Sequence, residues 1–432
     1  MVQSASSFDL LHHSRYSQIK MFSDFWANHL NTNGIVRNFV ILCVLLILAL
    51  VDIEAQEPIE LQLPGQLYFY YNSQIYYVQE DSTPIPIFNK QSPILSYSWS
   101  SDGSKIAIVR NEIGVRQLAE VYNADFELLH QFELDIDFED LHQFPVAWSS
   151  DNDALLLIST PENDLPQIVV LPLDTTVEEA TIDFPLADSE EISKVYWSPD
   201  ARYLLYQTSI PQGIVIATAG PETEIPQPET YDLYLFDLET QMTTFITSSS
   251  YWNCVAWSPQ GNLFAGVSDY IRETETPWLL RANQLQIYDV NASIVSIINI
   301  EFEPTSALLC PLAWSNDAEQ IAISYGTLSE GDPGEYSNMG ADILTYQSGI
   351  SAIDLASKEY HVVGVSGALS LQFIAYQAVS IEWSPDDTWI AVGALYNAFR
   401  DVRLFSYDTG EEVVITVDGQ PLFDPAWRAQ NE

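Results

Sequence analysis

Beyond residue 55 the chain carries three histidines, His130, His142 and His361, too few for a His-rich metal centre. His130 and His142 lie by the acidic run "ELDIDFEDLHQF", Glu133 to Phe144, where Glu133, Asp135, Asp137, Glu139 and Asp140 offer hard oxygen ligands for Ca2+. The run lacks the Gly an EF-hand loop needs at its sixth position, so it reads as a solvated acidic loop, with Ca2+ as the alternative. The segment "SEGDPGEYSNMGAD", Ser329 to Asp342, with Glu330, Asp332, Glu335 and Asp342, reads the same way. A serine nucleophile would need a Gly-x-Ser-x-Gly elbow in an α/β setting, and neither that motif, a P-loop nor a dinucleotide fingerprint occurs. These residues imply no cofactor and no catalytic set.

Cysteine chemistry is equally sparse. Cys43 sits in an apolar run, while Cys254 and Cys310 each precede a tryptophan of a repeat and form a candidate pair that spacing alone leaves open. With no Cys-x-x-Cys and no Cys/His cluster, zinc is not expected. The formal net charge is −45 over 432 residues, and a surface this acidic repels phosphate backbones, which argues against nucleic-acid binding. Aromatic residues make up 12% of the chain, a usage that favours strands.

Residues 39–51, "FVILCVLLILALV", are thirteen apolar residues with Arg37 before them and Asp52, Glu54 and Glu57 after. The run is shorter than the ~20 residues of a full span and fits a signal-peptide core, with an uncleaved single-pass anchor as the alternative. Met21 is an alternative start. The flanking charges direct the downstream chain outward, so the division expected is 1–55 as leader or anchor and 56–432 as an extracytoplasmic domain, secreted, periplasmic or membrane-anchored.

The elements that would position any site come from a repeat. "YSWSSDGSKIAIV" from Tyr97 recurs as "VAWSSDNDALLLIS" from Val146, "VYWSPDARYLLYQTS" from Val195 and "VAWSPQGNLFAGVS" from Val255. It recurs again as "LAWSNDAEQIAISYG" from Leu312 and "IEWSPDDTWIAVGAL" from Ile381. Trp-Ser therefore falls at Trp99, Trp148, Trp197, Trp257, Trp314 and Trp383, and with Trp427 the gaps run from 44 to 69 residues. Each copy reads as a hairpin. The apolar residue two before Trp shares its strand face, and Ser-Pro-Asp-Gly is turn chemistry. The aspartates Asp102, Asp151, Asp200, Asp317 and Asp386 are expected to bond nearby backbone N–H groups, and the tryptophans to wedge between units. Where the turn Gly is missing, Asp153, Ala201, Ala318 and Asp387 stand near its place.

Segments such as "YDLYLFDLETQMTTFIT" from Tyr231 and "DVRLFSYDTGEEVVIT" from Asp401 supply third and fourth strands. Four antiparallel strands per unit make the blade of an all-β propeller. The stretch Gly65 to Phe88 holds strands two to four of a blade, and "PLFDPAWRAQNE" supplies a first strand. Joined, they close a ring of seven blades without a free edge, with six blades as the alternative. From Gly65 to Trp427 the Trp-Ser-Pro-Asp hairpins resemble the TolB-type, WD-repeat-like propeller family and, likewise, the propeller of prolyl-oligopeptidase relatives. Five residues follow Trp427, so the peptidase domain of those relatives is not expected.

Three insertions break the repeat: Ser209–Thr230, Ser268–Asn283 and Tyr325–Gly349. All join second to third strands in successive units, which places them on one face as a raised rim. Tyr270, Arg272, Trp278, Arg281, Tyr336 and Tyr346 give that rim the aromatic and arginine content of a recognition surface. The reading that results is a non-enzymatic, monomeric propeller that binds a protein or peptide or scaffolds an envelope assembly. The alternative is a propeller enzyme, a lyase or glycan-active protein, using channel residues and a metal.

Overall fold

The computed structural model describes residues 63–429 apart from 72, 79–83, 89–91, 113–115, 135–144, 160–165, 185, 187–190, 210–230, 250–253, 269–270, 273–279, 282–283, 300–305, 331–343, 371–376, 397–398 and 416–421. The described chain is all-β and forms seven four-stranded antiparallel blades plus one two-stranded ribbon. Blade 1 comprises Ile94–Trp99, Lys105–Glu112, Arg116–Asn123 and Leu128–Leu134. Blade 2 comprises Ala147–Trp148, Ala154–Ser159, Gln167–Pro172 and Ala180–Asp183, and blade 3 Glu191–Trp197, Tyr203–Ser209, Tyr231–Asp237 and Met242–Ser249. In blade 4 the strands are Cys254–Trp257, Leu263–Ser268, Gln284–Asp289 and Ile294–Asn299. Blade 5 uses Ser306–Trp314, Gln320–Glu330, Leu344–Asp354 and Tyr360–Ser370, and blade 6 Gln377–Trp383, Trp389–Tyr396, Phe399–Ser406 and Glu412–Ile415.

Blade 7 is the composite. Its first strand, Leu422–Ala429, pairs with Gly65–Tyr71, which continues to Gln74–Val78 and Pro84–Pro86. The register runs from Gly65 opposite Ala429 to Tyr71 opposite Leu422, so the last strand fills the inner position that the N-terminal segment lacks. Seven blades, not six, close the ring.

The core is not one mass but a series of slabs between blades. Trp148 packs with Ala107, Val109 and Leu157 between blades 1 and 2, and Trp314 with Ala265, Ile287 and Ile321 between blades 4 and 5. Trp383 does the same with Ala313, Ala352 and Ile390. The slab between blades 7 and 1 is aromatic: Tyr68, Phe88 and Tyr122 are buried there against Trp99 and Phe126. Because each blade is covered on both faces, second strands carry continuous apolar runs, as in Ile106, Ala107, Ile108 and Val109, all fully buried. Outer fourth strands keep one wet face, where Phe245, Ile294 and Val362 are exposed. Each fully buried aliphatic side chain contributes about 1.5–3 kcal/mol to holding the slabs together.

Candidate functional site

The repeat hairpins are structural machinery. Ser100, Ser149, Ser198, Ser315 and Ser384 each donate a hydroxyl to the aspartate two residues on, at 2.6–2.8 Å. Those five aspartates also accept backbone N–H bonds, from Ser104, Asp153, Arg202, Glu319 and Thr388. The serine donors, ahead of the backbone bonds, hold the Asp102 and Asp151 carboxyls below the usual carboxylate range. The position that favours glycine is Gly103, Asn152, Ala201, Gly261, Ala318 and Asp387, all at positive φ. In the second copy it is thus Asn152, not the neighbouring Asp153, that replaces the glycine. Asn152 uses the place well, exchanging hydrogen bonds with Ser101 of the preceding blade.

Tryptophan wedges tie the blades together. The indole N–H groups of Trp148, Trp257, Trp314 and Trp383 donate to Ser98, Tyr196, Ala256 and Ala313, each the residue before the previous wedge, at 3.0–3.1 Å. Trp197 donates to Pro145. Trp99 and Trp427 break the series, and their buried indole nitrogens have no acceptor. They are the wedges on either side of the ring closure. There Arg428 takes over: its guanidinium lies 4.9 Å over the Trp99 ring and donates to the carbonyls of Gly103 and Ala124 at 3.0 and 3.2 Å.

A cavity of about 510 Å³ opens beside this closure. It is lined by residues 95–100 of blade 1, Pro145, Glu382 of blade 6, and Tyr70 and residues 425–427 of blade 7. The lining comes from the first strands of the consecutive blades 6, 7 and 1, and first strands are the inner strands of a propeller, so this is an axial pocket. Among the described residues Glu382 is its one charged side chain. The Glu382 side chain is exposed to the water of the cavity, with the inner strands of three blades standing around it. Water in so narrow a space solvates charge less well than bulk water, and this desolvation pushes the Glu382 pKa up to about 7. Sequence reading passed over Glu382, although a signal was present. The residue before the wedge is Ser98, Ala147, Tyr196, Ala256, Ala313 and Ala426 in the other copies, and only here is it charged.

The expected rim is placed in part. Its three segments leave and rejoin between second and third strands, at Ser209 opposite Tyr231, Ser268 opposite Gln284, and Glu330 opposite Leu344. Blades 3, 4 and 5 therefore carry them on one face. Much of the third segment is strand, since Gln320–Glu330 and Leu344–Asp354 extend their hairpin. Arg272 and Arg281 stand on the short strands Ile271–Arg272 and Leu280–Arg281, paired as a ribbon, and Tyr346 pairs with Leu328. Tyr270, Trp278 and Tyr336 lie outside the described residues.

Elsewhere, Arg110 and Glu120 form an ion pair at 2.7 Å with both side chains 2% exposed, although the Arg110 Nε–H is not aligned for a hydrogen bond. Tyr122 donates to the same carboxylate at 2.6 Å and Gln131 to its other oxygen, so the charge is compensated inside blade 1. His130 stacks on Phe132, and His361 meets Tyr407 edge-on. Cys254 is buried and disulfide-bonded. Asn291 sits in a turn closed by Asp289. Among the described residues no three His, Cys, Asp or Glu stand together as a metal site, and no helix is long and apolar enough to cross a membrane. Most of both acidic runs, and residues 39–51, lie outside those residues.

Ring closure, wedge tryptophans and Ser-Asp hairpins define the class: the chain is a seven-bladed β-propeller. A family model described as Eukaryotic translation initiation factor eIF2A matches residues 64–216, about a third of the chain. No curated protein matches it in sequence. Among solved structures it is similar to an oligogalacturonate lyase in complex with manganese, at 13% identity and TM-score 0.50, covering 82% of this chain and 85% of that one. A prolyl endopeptidase gives 13% identity and TM-score 0.52 over 82% of this chain and 48% of its own. TolB from Acinetobacter baumannii gives 15% identity and TM-score 0.40, over 84% and 82%. At such identities the likeness is one of fold, which many activities share.

Proposed function

We propose that the protein is an exported, non-enzymatic propeller that binds a protein or peptide partner through the rim formed by 209–230, 268–283 and 325–349. The observation that carries this reading is the emergence of all three insertions between second and third strands of consecutive blades. A regular ring is a rigid platform, and departures from its repeat on one face are where recognition concentrates. An extracytoplasmic setting is supported by the apolar run 39–51 with its charge asymmetry and by the disulfide at Cys254, which suits an oxidising compartment. The charge of −45 works against RNA contact, so the initiation-factor description is not carried over to this chain.

The test is to replace residues 331–343 by a two-residue turn, confirm an unchanged melting temperature, and compare capture of partners from envelope extract. Loss of a saturable partner is expected. Capture identical to that of the intact chain would remove the rim from the reading.

A second reading, a channel-based lyase or glycan-active enzyme with a metal, draws on the axial cavity. Glu382 is the cavity's one anionic ligand, beside serine hydroxyls and backbone carbonyls. Tight, stoichiometric manganese or calcium uptake measured by mass spectrometry, lost in Glu382→Gln, would favour this second reading over the first.

A further inference from the structure

We propose that the axial cavity is a binding site for a primary alkylammonium group, of the kind a lysine side chain carries on an extended peptide, with Glu382 as its counter-ion and Trp99 and Trp427 as its walls. The site is separate from the rim.

Three observations converge on it. Among the described residues Glu382 is the only charged group lining a cavity of about 510 Å³, a volume within the ordinary range for ligand pockets and ample for a lysyl side chain. No hydrogen bond or ion pair to its carboxylate is present among the described residues, and although the side chain is exposed to the cavity, the protein around it leaves the charge less well solvated than in bulk water. A cation brought into the cavity removes that cost. Next, the two wedges lining the cavity are the two whose indole N–H groups lack an acceptor. Five other wedges satisfy theirs across the blade interface; these two nitrogens are themselves buried, so Trp99 and Trp427 offer the cavity apolar ring surface and not N–H donors. A lysyl side chain suits such a lining: an ammonium for Glu382 and an apolar stem against the aromatic walls. Finally, the acidic surface gathers cations toward the protein, raising their local concentration at the mouth of the channel.

The experiment is isothermal titration of the full chain with three probes: Gly-Lys-Gly, its norleucine analogue, and cadaverine. Gly-Lys-Gly is expected to bind saturably with at least a tenfold preference over the norleucine peptide, and Glu382→Gln to abolish that preference. Asp174→Asn removes the same unit of charge from an exposed turn and should leave the preference intact, separating the site from the general field. With the peptide bound, the indole resonances of Trp99 and Trp427, assigned through Phe variants, should shift saturably with the same midpoint as the titration. Cadaverine binding as tightly as the peptide would keep the ammonium site and assign it to free amines. Equal binding of the lysyl and norleucine peptides, no saturable binding, or a preference surviving in Glu382→Gln would overturn the proposal. Shortening the rim should leave the lysyl preference unchanged, so the two readings fail separately.

Discussion

Glu382 is the one charged residue among its counterparts in the seven copies, and its setting makes its titration readable. Its folded pKa of about 7 stands above the ~4.3 of an exposed glutamate. A raised folded pKa means the native state holds the proton more tightly. The associated stability is therefore fully present below pH ~4 and is lost as pH climbs through 7. The melting temperature of Glu382→Gln should equal that of the native chain at pH 4.5, then exceed it by a margin that widens to a plateau above pH 8. A margin flat with pH would show that the carboxylate is solvated like a surface group. The hairpin aspartates act in the opposite sense. Asp102 and Asp151, depressed by their serine donors, contribute stability above pH ~4 that falls away in acid.

Elements here are hairpins carrying a wedge, and the wedge does two things: it buries an aromatic face and spans the interface with one hydrogen bond. Trp257 and Trp427 separate these effects, since both are half-buried but only Trp257 has an acceptor, the carbonyl of Tyr196. Trp257→Phe strands that carbonyl and should cost about 1–3 kcal/mol beyond the lost area, whereas Trp427→Phe loses area alone. Urea midpoints of the two variants measure the difference, and equal losses would mean the indole bonds carry no net stability. The hairpins were legible in the sequence because their signals are local: alternation within a strand, and Ser, Asp and a positive-φ residue at fixed offsets. What the sequence did not reveal is that Asn152 at that offset reaches back to Ser101 of the neighbouring blade.

At the scale of the whole molecule the decisive event is closure. Arg428 stands where six other copies have the hairpin serine, and it binds Gly103 and Ala124, 325 and 304 residues away. Arg428→Ala should remove both bonds and the stacking on Trp99, at a cost of about 2–4 kcal/mol, and should make the first unfolding step the release of Leu422–Ala429. Hydrogen exchange would show this as early loss of protection in Gly65–Tyr71, the strand that pairs with it. Uniform loss of protection around the ring would contradict a closure-first opening.

Strand order within each blade and the wedge positions were determined by the sequence alone, because each follows from short-range periodicity repeated along the chain, whereas seven blades against six was decided by the pairing of Leu422–Ala429 with Gly65–Tyr71. The chemistry of the axis was not. Glu382, Trp99, Trp427 and Tyr70 come from three blades and lie up to 357 positions apart in sequence. Only the closed ring brings them to one cavity, lowers the local polarity around the carboxylate and leaves two indoles without acceptors. The buried Arg110–Glu120 pair belongs with them, since two charges in one blade look like surface residues until burial on both faces removes the water. Local pattern sets the blade, and convergence of distant first strands on the axis sets the site.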